Sequence, residues 1–156
     1  MDTLAFSTKA RNLERLVGRL TSASILPLYH FSRGSWEKDP ENCIANIHNV
    51  IKPNGNFIVR SSSNSEDGNN ASNAGAFLSI PNVQKINLAQ AINDVFASYY
   101  SIDASDEVLI QPMLHSVIMS GVAFSHDAQT CGPYRTVNWS EGMSTSDVTS
   151  GNSNTH

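Results

Sequence analysis

Cysteine is scarce in this chain. Cys43 and Cys131 are the only two among 156 residues; they form no CxxC pair, and no two histidines stand at metal-ligand spacing, so neither a zinc site nor a dithiol redox motif is supported. Two reduced, structural thiols are expected. Charge is sparse as well, at 15% of residues with a net charge of −4 and no basic run, which removes the electrostatic footprint of a nucleic-acid binder. Long apolar runs are missing. No window approaches the roughly 20 apolar residues that cross a bilayer, and the opening MDTLAFSTKARNLERL lacks the apolar centre of a signal peptide. The expectation is a soluble, cytoplasmic chain with no membrane and no nucleic-acid partner. His30, His48, His115, His126 and His156 have no GxSxG nucleophile motif near them and read as surface or packing residues. No catalytic residue and no metal ligand is assigned.

Apolar residues make up 40% of the chain, enough for one globular domain, or part of one, with a sizeable core. Leu13, Leu16, Val17 and Leu20 share one face of an amphipathic helix predicted from about Thr8 to Leu20, with Ser7 or Thr8 as its cap. Lys9 falls in its first turn, against the helix dipole, a useful place if the lysine and the helix N-terminus both face a phosphate. Ile25 to Phe31, interrupted by Pro27, reads as an edge strand. Asp39-Pro40-Glu41 opens a helix that carries Ile44, Ile47 and Ile51 inward, and Lys52-Pro53-Asn54-Gly55 stops it. A strand over Ala76 to Ile80 is expected next. Asn87 then caps a helix to about Tyr100 whose Leu88, Ile92, Val95, Phe96 and Tyr99 form a core stripe. Glu107 to Leu114 reads as a strand that Gln111-Pro112 makes an edge or ends in a hinge. Val117 to Phe124 and Tyr134 to Trp139 read as a hairpin around Gly132-Pro133. This order predicts an α+β fold with a mixed or antiparallel sheet and flanking helices. The polar segment 143–156 stands apart from residues 1–142.

The most informative stretch runs from Phe57 to Val83. Phe57 and Val59 alternate with Ile58 and Arg60, so a half-buried strand delivers Arg60 to its rim. A Ser/Asn/Gly run follows, where main-chain amides can approach an anion. Arginine adds a planar, permanently charged fork. Taken alone, the same residues also suit a salt-bridged or solvated arginine ahead of an ordinary loop.

Val59-Arg60-Ser61-Ser62, Ser65-Glu66-Asp67 and Ala74-Gly75 resemble, in order and spacing, the nucleotide-binding signature of the pyruvate phosphate dikinase and phosphoenolpyruvate synthase family. Ser7-Thr8-Lys9-Ala10-Arg11-Asn12-Leu13 is similar to that family's GGKGxNL opening, with the glycines lost and the lysine, asparagine and leucine kept. Val95-Phe96-Ala97-Ser98 resembles its Trp-Ala-Ser helix end, and Ile110-Gln111-Pro112-Met113-Leu114 its VQxMV adenine hinge. Gly121-Val122-Ala123-Phe124-Ser125 with Asp127, and Val148-Thr149-Ser150-Gly151, resemble its GVxFT/S and VVSG segments.

The resemblance implies the N-terminal portion of an ATP-grasp nucleotide-binding domain, spanning residues 1–142. It implies that Lys9 and Arg60 contact ATP phosphates, and that Gly75 and Ser79 take the places of a phosphate-contacting glycine and a threonine. Gln111 and Met113 would border the adenine. Glu66 and Asp67 could serve a metal, a turn or cap, or the orientation of Arg60. Phosphoryl transfer from ATP needs Mg²⁺; the family's acid-x-acid metal ligands follow its VVSG segment, so they are expected outside this chain. Partners implied are ATP and the phosphohistidine and substrate domains of a larger protein, the phosphate passing from ATP to a histidine on a separate domain. The acceptor beyond that histidine is not legible here. The lost glycines keep two other readings open: a noncatalytic or degenerate nucleotide-binding regulatory module, and a scaffold without ligand.

Overall fold

The computed structural model describes residues 7–52, 55–63, 78–100, 102–127 and 130–142. The polar loop with Ser65-Glu66-Asp67 and Ala74-Gly75, the Pro53-Asn54 turn, Val148 to Gly151 and the segment 143–156 lie outside the described residues. The elements in chain order are α1 (Lys9–Leu16), β1 (Tyr29–Ser32), α2 (Arg33–Lys38), α3 (Pro40–Val50), β2 (Phe57–Ser62) and β3 (Ser79–Val83). A short 3-10 turn (Lys85–Asn87), α4 (Leu88–Ala97), β4 (Glu107–Pro112), β5 (Met119–Phe124) and β6 (Thr136–Glu141) follow among the described residues. Four strands form an antiparallel sheet in the order β1-β4-β2-β3, and β5 pairs antiparallel with β6 in a separate two-stranded sheet. The fold is α+β. It divides into two compact units, residues 1–113 and 114–156.

In the first unit, the period-two pattern decides which side of the sheet becomes core. Phe57 and Val59 of β2, Val108 and Ile110 of β4, Phe31 of β1 and Val83 of β3 point to one face. There they meet Cys43 and Ile47 of α3, the helix-ending Ile51, and Leu88, Ala91, Ile92, Val95 and Phe96 of α4. The α4 stripe, including Tyr99, is core as its spacing predicts. Asn87 stands at the helix start without a side-chain capping bond.

Asp39 caps α3 as expected: its Oδ1 accepts the Asn42 N–H at 3.0 Å, with Pro40 in the first turn. Replacing Asp39 with Ala is expected to lower stability by about 1 kcal/mol, and Asp39→Asn by much less. Urea unfolding of the two variants beside wild type measures both.

Several sequence expectations need correction. β4 is an interior strand flanked by β1 and β2, not an edge; Pro112 is tolerated because it is the strand's last residue. β1 is the edge expected near Pro27, but it begins at Tyr29. β3 starts at Ser79 and continues to Val83 rather than ending at Ile80. α1 ends at Leu16, and Gly18 adopts φ 72° just beyond it, so Val17 and Leu20 are exposed instead of completing an apolar stripe. α2 went unforeseen because RGSWEK is too short to show a helical period. Trp36 nonetheless buries against Phe31, ring centroids 5.7 Å apart. Arg33 lies over the Phe96 ring and donates to the Phe96 carbonyl near the end of α4, a favourable place for a cation.

In the second unit, the predicted hairpin forms with Gly121 opposite Trp139. A Cβ at Gly121 would stand 2.7 Å from the Asn138 carbonyl oxygen, which accounts for glycine there. Asp127 organises the connection by accepting from the Thr130 N–H and hydroxyl, each at 2.7 Å.

Candidate functional site

The sheet's second face, opposite the helical core, carries three of the six predicted site residues, Arg60, Ser79 and Gln111. On β4 the residues alternating with Val108 and Ile110 are Glu107, Leu109 and Gln111. Their register partners on β2 are Ser62, Arg60 and Ile58, and Arg60 also pairs with Ser79 on β3. Arg60, Ser79 and Gln111 therefore share one face by alternation. Arg60 is not at a strand rim: it sits in the middle of an interior strand that runs on to Ser62. Ser79 is exposed and Gln111 is buried. Met113 follows the last residue of β4, its N–H donating to the Asn56 carbonyl at 2.8 Å. Gly75 lies outside the described residues.

Lys9 reaches the same region from α1, its Nζ donating to the Ser61 carbonyl at 3.2 Å. What holds α1 there is a set of contacts that residue patterns did not single out. Glu107 is 3% exposed. Its Oε2 accepts the Thr8 hydroxyl at 2.7 Å, and its Oε1 accepts both Arg11 Nε at 2.9 Å and an Arg11 terminal nitrogen at 2.7 Å. Those hydrogen bonds, followed by the carboxylate's charge, push the Arg11 guanidinium above its ordinary pKa. Thr8 Oγ1 also caps the helix by accepting from the Arg11 N–H. Ser62 Oγ accepts the Ala10 N–H at 2.8 Å, and Asn12 closes the approach to the helix through its bonds with the main chain of Ser7.

The two serines after Arg60 thus join α1 to the sheet. Two of the amides near the α1 N-terminus, which could have faced a phosphate, are taken by Thr8 and Ser62. The one sequence signal for Glu107 was an acidic residue opening the apolar run Val108-Leu109-Ile110. A carboxylate buried in a central strand needs such partners.

Tyr99, two residues beyond the end of α4, adds a tie. Its hydroxyl accepts the Ser62 N–H at 3.0 Å and donates to the Glu107 carbonyl at 2.5 Å. Tyr99→Phe is expected to cost about 1–2 kcal/mol, since a buried N–H loses its acceptor. Thermal or urea unfolding reads the loss, and an unchanged midpoint would refute the tie.

A comparison with curated proteins found no match. Residues 31–106 match the family model described as pyruvate phosphate dikinase, AMP/ATP-binding domain, so the resemblance to that family holds for the stretch from β1 to the start of β4 that includes Arg60, Gly75 and Ser79, while Lys9, Gln111 and Met113 fall outside the match.

Proposed function

We propose that this chain is the ATP-binding part of a dikinase-type phosphotransferase, with residues 1–142 forming part of an ATP-grasp domain from which the phosphate of ATP passes to a histidine on a separate domain. The observation that carries the reading is the convergence of Arg60, Ser79 and Gln111 on one sheet face, within and beside the segment matched to an AMP/ATP-binding domain. Arg60 and Lys9 supply positive charge for the phosphates, the arginine through its fork and the lysine as a point charge. Ser79 supplies a hydroxyl and Gly75 close main-chain approach. Gln111 and Met113 border the adenine, one with hydrogen-bonding groups and one with a soft apolar wall. The chain's own part is to bind and orient the triphosphate.

Magnesium would neutralise charge during transfer. Glu107, the carboxylate on this face of β4, is occupied by Thr8 and Arg11. Among the described residues no group of three His, Cys, Asp or Glu is arranged to hold a metal.

A second reading, a noncatalytic or degenerate nucleotide-binding module, is favoured by one observation. Lys9 bonds a main-chain carbonyl, and amides in the first turns of α1 are capped from within the protein. Calorimetric titration with ATP, with and without Mg²⁺, tests both. Saturable binding supports a nucleotide site, and its absence overturns both readings. Phosphorylation of the histidine domain, supplied in trans, then separates the enzyme from the module.

A further inference from the structure

Ser62 is the last residue of β2 and of the Val59-Arg60-Ser61-Ser62 segment, and it is fully buried. Its side chain shares the sheet face of Arg60 and stands opposite Glu107 in the β2–β4 register. The two residues together seat the start of α1. Ser62 Oγ accepts the Ala10 N–H at 2.8 Å, and Glu107 Oε2 accepts the Thr8 hydroxyl at 2.7 Å. Lys9 is the residue between Thr8 and Ala10, so both of its chain neighbours are fixed to adjacent strands.

The seat is itself held from behind. The Tyr99 hydroxyl bridges the Ser62 N–H and the Glu107 carbonyl, at 3.0 and 2.5 Å. A lysine has a long stem whose rotamer freedom is costly to restrict; fixing the main chain on both sides limits where its ammonium can reach. Here Nζ lies 3.2 Å from the carbonyl oxygen of Ser61, the residue that follows Arg60. A second positive charge is thereby delivered to the stretch of β2 that carries the arginine, which favours an anion there.

We propose that Ser62 is a positioning residue of the phosphate site: with Glu107 and Thr8 it fixes the start of α1, and so places the Lys9 ammonium for the phosphates of a nucleotide beside Arg60. This inference rests on the ATP-binding reading and adds a part for the second serine of the segment. Ser62 touches α1, and acts on the nucleotide only through Lys9. Thr8 provides the other point of the same seat.

Variants that change no charge separate position from electrostatic field. Ser62→Ala and Thr8→Val each remove one point of the seat and leave every ionisable group in place. In calorimetric titration with ATP, each should bind about three- to tenfold more weakly than wild type, the effect of one lost hydrogen bond. Lys9→Met should weaken ATP by about tenfold or more. Added to Lys9→Met, either substitution should cost less than about twofold, because the group that the seat positions is gone. A serine that merely supports β2 gives a different pattern: Ser62→Ala would disturb Arg60 as well, and its loss would persist in full without Lys9. That additive result overturns the proposal, and so does an ATP affinity unchanged in both single variants. Unfolding midpoints check that each variant is folded during titration, and Thr8→Val, outside the sheet, carries the test if Ser62→Ala does not fold. Either overturning result, obtained with a wild type that binds ATP, leaves the nucleotide site standing. A wild type that does not bind ATP overturns the site and the part given to Ser62 together.

Discussion

Arg11→Ala is expected to lower the unfolding free energy by about 2–3 kcal/mol. Removing one partner from a fully buried ion pair costs about 3–5 kcal/mol, because the remaining charge stays uncompensated away from water. Here the pair is asymmetric: the Glu107 side chain is 4% exposed and that of Arg11 is 56% exposed. Truncating Arg11 leaves the carboxylate in place with the Thr8 hydroxyl and with His30 Nδ1 3.7 Å away, while the arginine itself was partly hydrated, so the expected loss falls below the buried limit. Glu107→Gln should cost less than Arg11→Ala, since it removes the charge that burial penalises and retains an acceptor for Thr8. Urea unfolding decides the ranking. A loss under about 0.5 kcal/mol for Arg11→Ala would place the pair among ordinary surface salt bridges. Exchange of the Ala10 amide supplies a local readout, because its bond to Ser62 exists only while α1 is docked.

Arg60→Ala is expected to weaken ATP binding about 10- to 100-fold, the equivalent of roughly 1.4–2.8 kcal/mol, within the range for hydrogen bonds to charged groups. Arg60→Lys should recover part of the affinity, since an ammonium restores charge without the fork. Ser79→Ala should be milder, a few-fold, because a neutral hydroxyl is lost at an exposed position. Isothermal titration against the three variants measures all of this, with unfolding midpoints as the control for damage to β2. Equal ATP affinity in wild type and Arg60→Ala would remove the phosphate role from this arginine and with it the main support for the site.

Local patterns carried much of the fold. The Asp39-Pro40-Glu41 start of α3, the Leu88 to Tyr99 core stripe and the hairpin around Gly132-Pro133 were legible because caps, helical spacing and turn residues act between near neighbours. The strand holding Phe57 to Arg60 was legible for the same reason. Its neighbours were not. Gln111-Pro112 suggested for β4 either an edge or a strand ending in a hinge; the strand does end at Pro112, but Val108, Leu109 and Ile110, all fully buried, fit an interior strand covered on both faces, where proline is acceptable only at the end. The apolar spacing in α1 predicted a longer helix, but Gly18 follows it in a left-handed conformation, and the contacts that seat α1 on β4 are polar. No hydrophobic period reports such contacts.

The candidate site divides along the same line. Sequence alone carried the resemblance of the segment around Arg60 to a nucleotide-binding signature, because residue type and spacing are what a motif records, and residues 31–106 match a family model described as pyruvate phosphate dikinase, AMP/ATP-binding domain. Only the tertiary structure decided that Arg60, Ser79 and Gln111 lie on one face, that Ser62 and Glu107 secure α1, and that β4 is an interior strand. Each depends on strand order and register across long stretches of chain, where a shift of one residue would turn every side chain to the opposite face.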